Sequence, residues 1–139
     1  MRRLVLALPC LLLVGCSDRP PAEDECPARP SPAFLLTLRT ESGAPLPPDA
    51  HLTVAAGSGT EEFDADELPA APNLAFCAAA GDGGVTELTC KLWTSGAAEL
   101  TITATGYEPV QRRKLVAEAD PCGIKTVDVK IALTPLAKP

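Results

Sequence analysis

Residues 100–105, with the sequence Leu-Thr-Ile-Thr-Ala-Thr, decide the fold class, because apolar and polar side chains alternate along them without interruption. Successive side chains of a β-strand point to opposite faces of a sheet, so a period of two indicates a strand with one buried face. We therefore predict a strand in which Leu100, Ile102 and Ala104 face a core and the threonines face outward.

Further apolar runs, several with the same period of two, lie on both sides of this segment. Turn-forming stretches rich in Gly, Pro and Asp separate them, and no stretch of useful length has a helical period. The two runs around Gly81-Asp82-Gly83-Gly84 predict a hairpin, whereas the acidic stretch 61–72 predicts a long surface loop. The sequence therefore predicts an all-β fold, an antiparallel β-sandwich of about seven strands. The runs are 34–39, 52–54, 73–80, 85–93, 110–116 and 127–133.

Residues 1–15 have the pattern of a signal peptide. Arg2 and Arg3 give it a positive start, and the apolar stretch 4–14 is too short to span a bilayer as a mature helix. The stretch ends in Leu13-Val14-Gly15-Cys16, which resembles the bacterial lipobox. The resemblance implies diacylglycerol transfer to the Cys16 thiol, cleavage after Gly15 and, often, further acylation (palmitate) of the new amino group. An ordinary secretory signal, cut at a small residue, is the alternative.

Residues 16–32 are predicted to be the lipidated cysteine and a tether, followed by the sandwich domain at 33–135. Five prolines between positions 20 and 32 favour an extended spacer of polyproline II type. In the sorting rule of enteric Gram-negative bacteria, Asp directly after the lipidated cysteine retains a lipoprotein at the inner membrane, and here Ser17 stands in that place. We expect a lipid-anchored protein of the cell envelope, with the outer membrane favoured over the inner membrane.

The charge of the chain argues against nucleic acid as a partner. The chain has 12 Lys+Arg against 18 Asp+Glu, and loss of Arg2 and Arg3 with the signal peptide leaves ten against 18, or −8. A surface of that sign repels phosphate backbones, and no basic stripe offsets it. Aromatic residues make up only 4% of the chain, which indicates a small core and no large ligand cavity.

Four cysteines remain in the mature chain after Cys10 leaves with the signal peptide and Cys16 takes the lipid. An even number in an exported chain indicates two disulfides, with three possible connectivities. We favour Cys77–Cys90 across the local hairpin and Cys26–Cys122 between the tether and the last strand. Zinc binding by the four thiols is the alternative, but the chain contains no Cys-x-x-Cys pair and only one histidine.

Three segments of the body resemble transthyretin-like, carboxypeptidase-regulatory-like modules, which are similar to immunoglobulin sandwiches. They are residues 42–46 (Ser-Gly-Ala-Pro-Leu), the strand and Ala-x-Gly-Tyr corner at 96–107, and the closing run at 127–135. The resemblance implies an immunoglobulin-like or transthyretin-like sandwich, with Gly106 at a sharp exit from the strand and Tyr107 packed at the corner. The middle of the chain departs from the family, because an acidic stretch and two cysteines replace its usual short Thr-x-x-Asp-Gly turn.

Candidate groups for chemistry are few, and we predict no catalytic residue, no metal site and no cofactor. His51 is the only imidazole, with Asp49 as its nearest carboxylate in sequence, and an isolated surface histidine is the favoured interpretation. The carboxylates between 61 and 67 fit no calcium-binding loop and favour a solvated surface instead. Trp93 and Tyr107 together suggest a sugar-stacking platform, although core packing is the more common role of such aromatics.

Two classes of function remain open. The first is a membrane-anchored, non-catalytic envelope module that binds or braces an envelope protein or glycan. The second, suggested by the resemblance to carboxypeptidase modules, is an accessory subunit of an envelope peptidase or glycosidase. We favour the first, because the sequence contains no catalytic zinc domain and a sandwich fold by itself implies no chemistry.

Overall fold

The computed structural model describes residues 30–94 and 96–138 and contains ten strands in those ranges. No helix in the described part of the chain is long and apolar enough to cross a bilayer. In chain order the strands are β1 (Phe34–Thr40), β2 (His51–Ala56), β3 (Gly59–Asp64), β4 (Ala75–Ala80), β5 (Glu87–Leu92), β6 (Ala98–Thr103), β7 (Val110–Leu115), β8 (Ala119–Asp120), β9 (Gly123–Ile124) and β10 (Val127–Leu133).

Eight of these strands form two four-stranded sheets, which confirms the predicted all-β sandwich. One sheet has the order β10-β1-β5-β4, the other has the order β3-β2-β6-β7, and β8 and β9 form a separate two-stranded ribbon. All neighbouring strands are antiparallel except β1 and β10, which pair in parallel from Phe34 opposite Val127 to Thr40 opposite Leu133. This parallel pair joins the first and last strands of the sandwich, a long-range contact that strand periodicity does not predict.

The inner faces of the two sheets meet in one hydrophobic core. Alternate residues are buried in β1, β2, β5, β6 and β10. In β1, for example, Phe34, Leu36 and Leu38 are fully buried and the residues between them are more exposed. In β6, Leu100 and Ile102 are buried as the sequence predicts, while Glu99 and Thr103 lie on the outside. Burial of apolar surface at about 25 cal/mol per Å² is the main term that holds the two sheets together.

The acidic stretch after residue 60 contains a strand where the sequence predicts a loop. Strand β3 pairs with β2, with buried Phe63 opposite Leu52 and the half-buried Glu61 opposite Val54. The prediction was wrong here because β3 is an edge strand and exposes most of its surface. Its many acidic residues therefore hide the alternation of buried and exposed side chains in the sequence. With β3 included, the two sheets contain eight strands rather than about seven.

Two glycines provide backbone conformations that other residues rarely adopt. Gly106 has φ 83° at the exit from β6, as the Ala-x-Gly-Tyr motif predicts, and the Tyr107 N–H donates to the Ala104 carbonyl at 3.2 Å. In the predicted hairpin between β4 and β5, Gly81 has φ 143°, and a Cβ there would overlap the Gly84 carbonyl oxygen. Both turns therefore require glycine.

Leu36 and Leu35 offer a matched test of the core. Leu36 is fully buried on the inner face of β1, whereas its neighbour Leu35 is only partly buried on the outer face. We predict that Leu36→Ala lowers the free energy of unfolding by about 2–5 kcal/mol, because it removes buried methyl groups and leaves a cavity. Leu35→Ala should cost clearly less. Urea denaturation of both variants measures the difference, and equal losses would contradict this assignment of the faces.

Candidate functional site

An open cleft of about 610 Å³ lies at the end of the sandwich where the chain enters β1. Five separate segments line it: the approach to β1, the β2–β3 turn with the first residues of β3, the approach to β4, the residues after β5, and β9 of the ribbon. The volume is within the range of small-molecule binding sites, which is about 300–1,000 Å³. The lining residues are Ser31, Ala33, Ser58, Gly59, Thr60, Asn73, Leu74, Trp93, Thr94 and Ile124.

The lining combines one large aromatic ring with neutral polar groups. Trp93 is partly exposed, and Ser58, Thr60 and Asn73, which carry hydroxyl and amide groups, line the same cleft. Among the described residues that line the cleft, none carries an ionisable side chain. The site is therefore suited to a neutral ligand that has both an apolar face and hydrogen-bonding groups.

Thr94 contributes a buried polar atom to the same cleft. Its side chain is only 6% exposed, and its Oγ1 has no hydrogen-bond partner among the described residues. Nearly all buried polar groups in folded proteins are hydrogen-bonded, and an unpaired one costs about 1–3 kcal/mol. In the described part of the chain it is the one buried side-chain polar atom without a hydrogen-bond partner.

Glu61 fixes the backbone on one side of the cleft. Its carboxylate accepts hydrogen bonds from three consecutive backbone N–H groups, those of Asn73, Leu74 and Ala75, at 3.1, 2.7 and 2.8 Å. The Leu74 carbonyl in turn accepts from the N–H of Trp93 at 2.8 Å. The sequence predicts a solvated loop at Glu61, and only the position of Glu61 opposite Val54 in β3 brings it to these amides.

The only histidine lies on the outer face of the β3-β2-β6-β7 sheet and pairs with a residue that the sequence did not suggest. His51 Nδ1 lies 2.8 Å from Asp64 Oδ1 across the β2–β3 pair, and the two side chains are 41% and 46% exposed. Asp49, the partner considered from sequence, instead accepts a hydrogen bond from the Thr105 N–H at 3.0 Å. A half-exposed pair between adjacent strands supports their register and contributes little free energy.

The remaining sequence candidates are distributed over the domain. Tyr107 packs against the core and pairs with Pro135, so it does not share a platform with Trp93. Within the described ranges, no group of three or more His, Cys, Asp or Glu side chains is close enough to hold a metal ion.

The predicted disulfide Cys77–Cys90 is confirmed and joins the directly opposed residues of β4 and β5. Cys122 is disulfide-bonded as well. Cys26, its predicted partner, and Cys16, the predicted lipid site, lie outside the described residues, so these two assignments stay predictions.

Comparison with family models, curated proteins and solved structures found no match to this chain. The resemblance to transthyretin-like modules therefore rests on the three sequence motifs alone.

Glu61 and Glu62 provide a matched pair for testing the carboxylate on the cleft. Glu62 has the same charge but is exposed on the other face of β3. We predict that Glu61→Ala lowers the free energy of unfolding by about 1–3 kcal/mol, because it leaves amide groups without their acceptor. Glu62→Ala should have a small effect. Urea denaturation tests this, and similar losses in both variants would show that the three hydrogen bonds do not stabilise the domain.

Asp49 makes the stability of the domain depend on pH in the acid range. Hydrogen bonds from the side chain and the backbone N–H of Thr105 hold the pKa of Asp49 below its ordinary value. A carboxyl whose pKa is lower in the folded than in the unfolded chain stabilises the fold at pH values above its unfolded pKa. This stabilisation is lost as the pH falls through the pKa of the folded chain. We predict that the free energy of unfolding falls less in Asp49→Asn than in the parent when the pH is lowered below about 4, because the variant has no carboxyl to protonate at this position. An NMR titration of Asp49, folded and in urea, should give the lower pKa in the folded chain, and equal values would contradict the prediction.

Proposed function

We propose that this protein is a lipoprotein of the bacterial cell envelope, anchored through lipid on Cys16, whose β-sandwich is a non-catalytic binding module. The observation that carries the binding role is the cleft around Trp93, with its single aromatic ring, its neutral polar groups and the buried hydroxyl of Thr94. Pockets of this composition, mostly apolar with a few polar groups that orient the ligand, are typical of binding sites.

The roles of the ionisable side chains support a non-catalytic module. Acid–base or nucleophilic catalysis needs at least two reactive groups held within hydrogen-bond reach of a bound substrate. Here the Glu61 carboxylate is occupied by three backbone amides, and His51 pairs with Asp64 on an outer face away from the lining of the cleft. Both arrangements are structural links between strands or sheets.

The place of the cleft in the chain supports the anchored arrangement. Ser31 and Ala33 line the cleft directly before β1, so the binding site lies where the proposed tether meets the domain. Residues 17–32 would span roughly 50 Å if extended as polyproline II at about 3.1 Å per residue. Two or three acyl chains on Cys16 would anchor the protein far more firmly than a single chain. Ser17 after the cysteine favours the outer membrane.

The anchor is tested by comparing the two cysteines near the start of the chain. We predict that Cys16→Ala abolishes incorporation of radiolabelled palmitate and leaves an uncleaved or wrongly processed precursor, because the acceptor thiol is gone. Cys10→Ala is the control and should be labelled and processed like the parent, since Cys10 leaves with the signal peptide. Palmitate incorporation by the Cys16→Ala variant would show that the lipid is attached elsewhere.

A further inference from the structure

We infer that the cleft around Trp93 binds a neutral glycan, with a sugar ring stacked on the indole and its hydroxyls bonded to the polar groups around it. This inference rests on the binding role proposed above and adds the chemical class of the ligand. It follows from the charge of the lining, the pairing of ring and hydroxyls, the unpaired Thr94 hydroxyl and the rigidity of the walls.

The charge of the lining selects a neutral ligand. The described residues that line the cleft are all uncharged, so they offer no cation to a phosphate or carboxylate and no free carboxylate to an amine. The nearest acidic group on this wall, Glu61, is already bonded to three backbone amides. The chain as a whole is acidic, with a formal charge of −6, which further disfavours anionic polymers.

The combination of an indole with hydroxyl and amide groups matches a sugar. A pyranose ring has a face of C–H groups and a rim of hydroxyls that donate and accept hydrogen bonds. Trp93 offers a broad apolar surface to such a face, and Ile124, which is 40% exposed, is a second apolar residue in the lining. Serine and threonine hydroxyls and the asparagine amide can each donate and accept, as the rim of a sugar requires.

The Thr94 hydroxyl distinguishes a polar ligand from a purely apolar one. It is buried, lies next to Trp93 in the chain, and has no partner among the described residues. The atom exposes less than 1 Å² to solvent, so a ligand hydroxyl would pair with it after a rotation of the Thr94 side chain, whereas a hydrocarbon in the cleft would leave it unpaired. The buried atom therefore favours a ligand that carries hydroxyl groups along its edge.

The walls of the cleft are held in place by backbone hydrogen bonds. The N–H of Trp93 donates to the Leu74 carbonyl at 2.8 Å, and the N–H of Ala33 donates to the Leu92 carbonyl at 2.9 Å. Glu61 holds Asn73 and Leu74 from the other side. A site formed before the ligand arrives loses less entropy on binding, which suits the weak individual contacts of a sugar.

The chain provides its own probe, because Trp93 is its only tryptophan. The full lipoprotein, purified in detergent, would be titrated with neutral trisaccharides of glucose, mannose, galactose and N-acetylglucosamine, and its tryptophan fluorescence recorded. Trigalacturonate, which is anionic, and trialanine amide, a short peptide, would be titrated in parallel. We expect at least one neutral trisaccharide to give a saturable change and trigalacturonate and the peptide to give none.

Variants then locate the binding by calorimetry with the responding trisaccharide. Trp93→Ala should abolish binding, and Thr94→Val should weaken it about tenfold, the loss expected for one hydrogen bond. Thr94→Val keeps the shape of the side chain and removes the unpaired hydroxyl, so its urea midpoint should not fall. Thr89→Val, on β5 outside the cleft, is the control and should bind like the parent.

Each contrary result has a distinct meaning. Binding that survives in Trp93→Ala would overturn the assignment of the cleft. A response to trigalacturonate alone would overturn the neutral charge of the ligand, and a response to the peptide alone would overturn the sugar class; either would leave the binding role in place. No response to any probe would overturn both the glycan inference and the binding role of the cleft, while the anchor would still be judged by palmitate labelling of Cys16→Ala.

Discussion

Burial of two apolar sheet faces against each other is the constraint from which the rest of this structure follows. Strands β1, β2, β5, β6 and β10 supply alternate residues to one core, and the central strands β1, β2, β5 and β6 contribute residues that are fully buried. A sandwich built in this way has two open sides, where edge strands of the two sheets face each other and the core would meet water. Polar links cover both sides in this protein.

On one side, Glu61 of edge strand β3 reaches the amide groups at the start of edge strand β4 in the opposite sheet. On the other side, the segment before β7 pairs with the segment after β10, through Glu108 N–H to the Thr134 carbonyl and Leu136 N–H to the Gly106 carbonyl. Strand β7 itself carries exposed Arg and Lys side chains and a bulge at Lys114, features that discourage pairing with other chains. The bonds that close the first side also shape the cleft, so structure and proposed binding depend on the same carboxylate.

This dependence connects the stability of the domain to its proposed role. Asn73 and Leu74 line the cleft and are also the residues whose amides Glu61 holds, and Leu74 in turn bonds the backbone of Trp93. The aromatic ring is therefore presented by rigid backbone at the end of a strand rather than by a mobile loop. Binding sites placed on such elements hold their polar groups more accurately than sites on free loops.

Local patterns in the sequence were enough to predict the features that depend on neighbouring residues. The alternation in 100–105 and 127–133 predicted strands because the period of a strand is local, and the glycine-rich turn placed Cys77 opposite Cys90 within one hairpin. The same local reasoning failed for β3, whose exposed acidic face hides its alternation.

Local patterns could not have identified partners that come from different strands. These are Asp64 for His51, the amides of 73–75 for Glu61, and the parallel pairing of β1 with β10. The cleft combines five segments between positions 31 and 124, so only the packing of the two sheets decided that Trp93, Asn73 and Thr94 would share one site.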